Sequence, residues 1–383
     1  MLKRLTWLIM LAFLLLAAVT VTLAQADRPV VTLVTYGSLG DVYFNDLLFA
    51  GLSRAALEHD FELRTVCSGM ERPCDEVGTT RPPTEESSQQ AYQALFEAAA
   101  TSDVVVLMEF TLLFALPDLT VQFPDVTFVH LMNLPLELPT VVNGVIPGHE
   151  PAYLAGVLAA LTTTQTSLPQ INADKVVGVI GRVEQPFVDA YLYGFLQGAC
   201  AVDPEITVLH AYEQSPYSTA EVGQTLAQPM LDAGADVIFA ATTSESSAGI
   251  IDLAEDQGAF AIALDTYQDH LAPGSVLTSY TKQIDDLVYD LVTRVLAGEV
   301  LGGQTVAYSM SDGAWDNSDM IFTRHLLPDE VMTAYAEAEE GIIQGMTQVV
   351  DASMLPPDVY GLLKADFSCA TVGAINEALG ADA

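Results

Sequence analysis

Residues 30–59 read VVTLVTYGSLGDVYFNDLLFAGLSRAALEH, and this stretch decides the fold. Its first seven residues, Val30–Tyr36, are rich in β-branched side chains, which is typical of a buried strand. Gly37-Ser38-Leu39-Gly40 follows as a turn, and a helix is predicted from about residue 44 to residue 59. A strand, a glycine turn and a helix in this order are the unit from which parallel α/β sheets are built.

The same alternation of β-rich runs and amphipathic helices continues along the chain. Further strands are predicted at 61–67, 103–108, 126–131, 175–180, 206–212, 236–241, 259–264 and 276–279. Helices are predicted at 86–100, 153–163, 187–201, 221–233, 247–257 and 284–296, and within 329–351. Because most strands are followed by a helix, the sheets are expected to be parallel.

The length of the chain and its element order predict two domains. With 383 residues the chain exceeds what one ordinary core holds. Residues 135–151 interrupt the alternation with Pro, Gly and Asn, and we interpret them as a crossover between the domains. The order of elements is similar on both sides, which suggests two pseudo-symmetric open sheets. Ligands of such sheets bind beyond the carboxyl ends of the strands, so a cleft between the domains is the expected site.

Composition and charge exclude several classes of protein. The chain is 51% hydrophobic and 16% charged, which excludes a disordered chain. The only apolar run of membrane-spanning length is at the N-terminus, which excludes a multi-span membrane protein. Lys and Arg number 13 against 50 Asp and Glu, and the net charge is −37. A field of this sign repels phosphate backbones, so nucleic acid is not an expected partner.

The first 26 residues have the pattern of a signal peptide. Lys3 and Arg4 precede an apolar stretch from about residue 5 to residue 23, and Ala24-Gln25-Ala26 matches an A-x-A cleavage site. We therefore expect cleavage after Ala26 and a periplasmic or cell-surface location, with a retained membrane anchor as the alternative. No Cys stands at the cleavage point, so no lipoprotein acylation site is expected.

Export places the four cysteines, Cys67, Cys74, Cys200 and Cys369, in an oxidising compartment. An even count there favours disulfides, and three connectivities are open. One of them closes the short polar loop between Cys67 and Cys74 and joins Cys200 to Cys369. Two cysteines six residues apart, without a matching His or second pair, are poorly spaced for zinc.

A search for catalytic motifs favours binding over catalysis. The chain contains no G-x-S-x-G, H-E-x-x-H or G-x-x-x-x-G-K-[ST] motif, and no G-x-G-x-x-G after a strand. The six His residues are scattered, and no pair of them has metal-ligand spacing. We therefore expect a protein that is not an enzyme and that carries neither cofactor nor metal.

Residues 37–45 (GSLGDVYFN) resemble the G-x-x-x-D-x-S-F-N signature of the basic membrane protein family. These are substrate-binding proteins of ABC importers, similar to purine nucleoside receptor lipoproteins. Further matches follow in chain order: QFPDVTF at 122–128, YLAG at 153–156, GFLQG at 194–198, GADVI at 234–238, LTSYTK at 277–282 and IIQG at 342–345. The matches run collinearly from about residue 30 to residue 350.

The resemblance implies a type I periplasmic-binding fold, in which two doubly wound parallel sheets are joined by three crossovers. Its first lobe is expected at 27–145 plus 279–305, and its second lobe at 146–278 plus 306–383. It also implies a nucleoside-like ligand in the cleft, a membrane permease as partner and a monomeric receptor. The alternatives are a sensor domain that presents ligand to a membrane signalling protein, and an exported nucleosidase.

The family's ligand contacts are carried over position by position. Phe44 and Tyr217 are the expected stacking rings, with Asn45 as a polar neighbour, and Asp265 and Lys282 are expected to hold the ribose hydroxyls. Two aromatic faces suit a flat heterocycle. A structural role is the alternative for each: a core position for Phe44, a helix cap for Asn45, a loop start for Asp265 and a surface charge for Lys282.

The chain departs from the family pattern around the expected base. Tyr36, Glu109, Asn133 and Thr243 stand where the family has other residues, and Phe110 stands where the family also has Phe. We include all five as candidate ligand contacts. Asp41 is a further candidate, with ordering of the glycine turn as its alternative. The ribose side therefore matches the family and the base side differs. This predicts a nucleoside-like ligand whose base is not a common purine, or a related small heterocycle.

Overall fold

The computed structural model describes residues 28–40, 44–68, 84–215, 218–242 and 244–380. The predicted signal peptide lies outside these ranges, as do Asp41, Cys74, Tyr217 and Thr243. The described chain forms two open sheets of six strands each, with helices packed on both faces. The predicted α/β fold class is confirmed.

The first sheet contains the N-terminal strands and one late strand. Its strands are β1 (Val30–Tyr36), β2 (Glu62–Ser68), β3 (Val104–Leu107), β4 (Thr127–Leu131), β5 (Val141–Val145) and β11 (Thr305–Ala307). The helices of this lobe are α1 (Phe44–Glu58), α2 (Glu85–Ala99), α3 (Phe110–Leu113), α4 (Leu116–Gln122) and α9 (Ile284–Leu296). The strand order is β2-β1-β3-β4-β5-β11, and all pairs are parallel.

The second sheet repeats this order. Its strands are β6 (Val176–Gly181), β7 (Thr207–Tyr212), β8 (Ala235–Ala241), β9 (Phe260–Asp265), β10 (Val276–Lys282) and β12 (Trp315–Asn317). Its helices are α5 (His149–Thr163), α6 (Pro186–Val202), α7 (Ala220–Asp232), α8 (Ser244–Gln257), α10 (Asp329–Ile343), α11 (Pro357–Ala365) and α12 (Cys369–Leu379). The order is β7-β6-β8-β9-β10-β12, with only β12 antiparallel to its neighbour among the described pairs. The two lobes are therefore pseudo-symmetric.

Strand burial explains why the sheets are covered on both sides. In β1, Val31 and Leu33 face the core formed with α1, whereas Val34 and Tyr36 face the core formed with α2. A strand with both faces buried reads as a continuous apolar run, as β1 does. In α2, a capping box helps to define the first turn, because Thr84 and Ser87 exchange side-chain to backbone hydrogen bonds.

Two glycines of the family-like motifs lie where α5 and α6 pack closely. A Cβ at Gly156 would lie 2.0 Å from the carbonyl oxygen of Phe195, and one at Gly198 would lie 1.9 Å from the carbonyl oxygen of Tyr153. Only glycine permits this backbone approach. The motifs at 153–156 and 194–198 therefore serve helix packing in the second lobe.

The chain passes between the lobes three times, after Val145, after Lys282 and after Ala307. The expected lobe boundary between residues 278 and 279 falls inside β10, which pairs with β9 and then with β12 up to Lys282. The sheets thus divide the chain four residues later than expected, because the predicted strand was too short. The expected boundary between residues 305 and 306 likewise falls inside β11.

A disulfide ties the C-terminal helices to the second lobe. Cys369, at the start of α12, is bonded to Cys200 near the end of α6, with 5.4 Å between their Cα atoms. This is one of the connectivities that the sequence left open. Cys67 is also disulfide-bonded, and its expected partner Cys74 lies outside the described residues.

Candidate ligand-binding site

A cavity of about 480 Å³ lies between the lobes, at the carboxyl ends of the strands. The first lobe contributes residues that follow β3 and β4, and the second lobe contributes residues that follow β6 and β8 or end β9 and β10. This is the position that parallel open sheets favour for ligands. Most of its lining is apolar, so its few charged side chains define where a polar ligand group would bind.

Asp265 and Lys282 form an ion pair in the wall of this cavity. The Lys282 Nζ lies 2.7 Å from Asp265 Oδ1, and the two side chains are only 11% and 9% exposed. The pair is a consequence of sheet register, since Asp265 pairs with Thr281 on the adjacent strand. Burial alone would lower the pKa of Lys282, but attraction to Asp265 and Tyr191 outweighs burial and raises it. The lysine is therefore charged at neutral pH.

Three aromatic rings surround the ammonium group of Lys282. Its Nζ lies 5.3 Å from the ring centroid of Phe44, 5.7 Å from that of Tyr191 and 5.1 Å from that of Trp315. Aromatic faces attract a cation at these distances. The rings come from α1, α6 and β12, so both lobes fix the position of the charge.

The backbone at Asp265 is strained. Its φ is +72°, and Thr266 N donates a hydrogen bond to Leu264 O at 2.9 Å across it, which makes a three-residue γ-turn. A non-glycine residue in this region costs of order 1–3 kcal/mol, and such strain is concentrated at binding sites. The turn directs the Asp265 side chain toward the cavity wall, where Lys282 meets it.

Comparison with known proteins identifies the family. The model of the Bmp family, described as "ABC transporter substrate-binding protein PnrA-like", matches residues 28–324. The chain belongs to this family. Basic membrane protein A of Borreliella afzelii is 26% identical over 308 residues, covering 76% of this chain and 82% of that protein. The CD4+ T-cell-stimulating antigen of Listeria monocytogenes is 24% identical over 344 residues, covering 85% of this chain and 89% of that protein.

A solved structure supports the same architecture. The ABC transporter solute-binding protein from Aeropyrum pernix K1 superposes with a TM-score of 0.69 at 19% identity, covering 91% of this chain and 99% of that chain. The predicted family and the type I periplasmic-binding fold are therefore confirmed. This Bmp protein is a solute-binding protein of an ABC transporter, in a family of binding proteins rather than enzymes.

Six of the predicted site residues line the cavity of this Bmp protein, and two others do not. The six are Phe44, Glu109, Phe110, Asn133, Asp265 and Lys282. Tyr36 is turned away from the cavity, and its hydroxyl lies 2.9 Å from Ser87 Oγ on α2. Asn45 is also absent from the lining, and its amide donates to Ser38 O at 3.2 Å. Asp41, Tyr217 and Thr243 lie outside the described residues.

Asn133 holds the first crossing in place at the cavity edge. Its Nδ2 donates to Ile146 O and its Oδ1 accepts from Ile146 N, both at 2.6 Å. This two-way amide pair joins the segment after β4 to the segment after β5. Asn133 therefore positions the crossing as well as lining the cavity.

Several lining residues were missed by the sequence analysis. Arg182 and Thr242 directly follow β6 and β8, so the strand-end rule that selected Asp265 would also have selected them. Tyr191 also lines the cavity, but its place within α6 carries no signal in the sequence. Likewise no signal in the sequence marks Trp315, which contacts Lys282 from a strand of only three residues.

The described residues contain neither a metal cluster nor a membrane span. No group of three or more His, Cys, Asp and Glu side chains in those ranges is arranged to hold a metal ion. None of the described helices is both long and apolar enough to cross a bilayer.

Proposed function

We propose that this protein is an exported receptor of an ABC importer that captures a nucleoside-like solute between its lobes. The observation that carries the proposal is the Asp265–Lys282 pair in the wall of the inter-lobe cavity. The signal-peptide pattern of residues 1–26 supports export. The receptor acts as a monomer and delivers its ligand to a membrane permease.

The ion pair suits recognition of two neighbouring hydroxyl groups. The Asp265 carboxylate accepts hydrogen bonds from hydroxyl donors, and the Lys282 ammonium donates to hydroxyl oxygens. Because the pair is nearly buried, these hydrogen bonds are stronger than they would be in water. The vicinal hydroxyls of a ribose present both functions side by side.

The aromatic lining suits a flat ring attached to the sugar. Phe44 and Phe110 line the first-lobe side, Phe114 packs edge-on to Phe110 at 5.2 Å, and Phe187 lines the second-lobe side. Stacking on aromatic faces contributes about 1–3 kcal/mol per base in other nucleic acid-binding sites. A nucleoside combines both features that the lining would recognise, a sugar with vicinal hydroxyls and a flat ring.

Capture is proposed to proceed by hinge closure at the three crossings. The first and third crossings are linked, since Trp315 Nε1 donates to Pro147 O at 3.0 Å and Met310 N donates to Glu150 Oε2 at 2.9 Å. The second and third are linked because Gln283 N donates to Ala314 O at 3.0 Å. Such links let the segments bend together as one hinge while each lobe stays rigid. Closure would expel water from the ion pair and strengthen its hydrogen bonds.

Isothermal titration of the purified protein with nucleosides, free bases and flavins tests the proposal. At least one nucleoside is expected to bind more tightly than its free base, because the free base lacks the ribose. In Asp265→Asn the affinity for that nucleoside should fall roughly 100-fold, since charge-assisted hydrogen bonds to two hydroxyls are lost. If no compound in the panel binds the unchanged protein, the proposed ligand class is wrong.

A further inference from the structure

The strained turn that carries Asp265 is held by a buried amide side chain. Gln268 lies three residues further along the chain, and its Nε2 donates a hydrogen bond to Leu264 O at 2.9 Å. The same carbonyl oxygen accepts from Thr266 N at 2.9 Å across the γ-turn. A non-glycine residue at φ +72° persists only where the surrounding structure enforces that conformation. Gln268 therefore helps to enforce the backbone conformation of Asp265.

Gln268 is in turn fixed to the neighbouring strand β10. Its backbone N donates to Ser279 Oγ at 2.9 Å, and Ser279 Oγ donates to Asp269 Oδ1 at 2.5 Å. A serine hydroxyl has a single hydrogen, so donation to Asp269 leaves its lone pairs to accept from Gln268. Hydrogen bonds in such a chain polarise and strengthen one another. The chain therefore ties the loop after β9 to the strand that carries Lys282.

Gln268, Asp269 and Ser279, which we call the turn network, are buried behind the cavity wall. Ser279 is fully buried, and the other two residues are no more than 5% exposed. None of them is among the described residues that line the cavity. Ser279 belongs to the family-like motif at 277–282, in which Lys282 is the residue that lines the cavity. The turn network can therefore affect a ligand only through the residues that it holds.

We propose that Gln268, Asp269 and Ser279 are positioning residues that hold the Asp265 carboxylate against the Lys282 ammonium group. Without the turn network, the strained turn would relax and the carboxylate would move away from its partner. A site that is held in its binding geometry beforehand loses less conformational freedom when the ligand arrives. The expected effect on ligand affinity rests on the proposed function, whereas the effect on the ion pair does not.

The scarcity of lysine makes this ion pair observable by NMR spectroscopy. From residue 27 onward the chain has only Lys175, Lys282 and Lys364, so this part of the chain gives three signals when labelled with ¹³C at lysine Cε. Lys175→Arg and Lys364→Arg assign the signals by removing one each. The Lys282 signal is sensitive to its surroundings because three aromatic rings shift it. Asp265→Asn removes the charge of the partner and gives the position of this signal without an ion pair.

Gln268→Met and Ser279→Ala test the positioning role at neutral pH. In both variants the Lys282 signal should move about half of the way or more to its position in Asp265→Asn, because the carboxylate leaves the ammonium group. Titration calorimetry with adenosine, guanosine and uridine should show roughly 10-fold weaker binding of each nucleoside that binds the unchanged protein. Asp269→Asn keeps an acceptor oxygen for the serine hydroxyl, so it should move the signal less than Asp269→Ala.

Thr323→Val is the matched control, since it removes another buried hydroxyl that is bonded to β10. Thr323 Oγ1 donates to Leu277 O at 2.7 Å and takes no part in the turn network. Its loss should lower the free energy of unfolding, which urea unfolding measures, and should leave the Lys282 signal in place. This control separates the position of the ion pair from the stability of the lobe.

The NMR signal decides the inference, whether or not a nucleoside binds. If the Lys282 signal stays in place in Gln268→Met and Ser279→Ala, the turn network has only a structural role and the inference is refuted. An equal displacement in Thr323→Val also refutes it. If neither network variant folds, equal displacements in Asp269→Asn and Asp269→Ala refute it instead. Failure of every nucleoside to bind the unchanged protein refutes the proposed function, and the Lys282 signal then still shows whether the turn network positions the carboxylate.

Discussion

Two buried aspartates, each paired with a lysine, stand in contrasting surroundings in the second lobe. Beyond the predicted signal peptide the chain has only three lysines, Lys175, Lys282 and Lys364. Lys282 pairs with Asp265 in the cavity wall, whereas Lys364 pairs with Asp189 where α11 packs on α6. The residue types are the same, so the difference in role comes from what surrounds each pair.

Asp189 is enclosed by donors from the protein itself. Its carboxylate accepts hydrogen bonds from the hydroxyls of Tyr212 and Tyr360 and from Lys364 Nζ at 3.3 Å, and the residue is 1% exposed. Lys364 also lies 2.7 Å from Glu184. The Asp189 group therefore braces α11 against β7 and α6, whereas the Asp265 pair lies at the surface of a cavity. Position, rather than charge alone, distinguishes this structural group from the pair that we propose binds the ligand.

The largest expected effect is loss of the Asp189 brace. In Asp189→Ala the free energy of unfolding should fall by about 2–4 kcal/mol, because two tyrosine hydroxyls and the partly exposed Lys364 lose a common acceptor. Affinity for the ligand should stay within about threefold. Urea unfolding at neutral pH measures the stability, and Asp358→Ala, an exposed aspartate on α11, is the control. A loss below 1 kcal/mol would show that the brace is not structural.

Exchange of the two lysines for methionine sharpens the contrast. Lys282→Met should weaken nucleoside binding about 30-fold, since a charged donor to the ligand is lost while methionine still fills the space between the three aromatic rings. Lys364→Met should leave the affinity unchanged and should lower stability instead, by less than Asp189→Ala because its side chain is 31% exposed. Titration calorimetry and urea unfolding of both variants measure the two effects. Equal loss of affinity in both variants would contradict the assigned roles.

The sequence predicted the long strands better than the short ones. The predicted strands at 30–36, 175–180 and 236–241 correspond to β1, β6 and β8 within one residue at each end. The strand β5 was missed because it lies within the Pro- and Gly-rich segment that was interpreted as a crossover. The three-residue strands β11 and β12 form only because β5 and β10 offer them an edge, and such tertiary pairing leaves no local pattern.

Helix ends and short helices were also difficult to predict from the local sequence pattern. The prediction left open where the helix within 329–351 ends, and α10 ends at Ile343, two residues before Gly345 with φ +68°. Each of the short helices α3 and α4 spans seven residues or fewer, which is too short for helical periodicity to be recognised.

For the ligand-binding site, the family resemblance and the rule that ligands bind beyond the carboxyl ends of parallel strands selected Asp265 and Lys282. The register between β9 and β10 brings the two side chains into contact. The choice of Tyr36 was wrong as a cavity residue because alternate residues of β1 face opposite sides, and Tyr36 faces α2. Tyr191 and Trp315 reach the Lys282 ammonium group only because α6, β10 and β12 pack together, and a single sequence does not specify that packing.

Glu213 is another buried carboxylate of the second lobe. Unlike Asp189 and Asp265, it has no lysine partner among the described ion pairs. Burial raises the pKa of Glu213 from 4.5 to about 7, against the opposing influence of Ser246, Ser218 and Arg182. The folded state therefore holds a proton that the unfolded chain releases at lower pH. This stabilising contribution is complete below about pH 4.5 and is lost as the pH rises through about 7.

Replacement of Glu213 by Gln removes the ionisable group, and of the predicted changes it should have the smallest effect on the protein. Relative to the unchanged protein, Glu213→Gln should gain about 1–2 kcal/mol in the free energy of unfolding between pH 5 and pH 7.5, because only the unchanged protein must hold a buried charge at the higher pH. Urea unfolding at both pH values measures this difference, and Glu337→Gln removes the same charge from the exposed side of α10 as the control. A difference that does not grow with pH would mean that Glu213 is already ionised at pH 5.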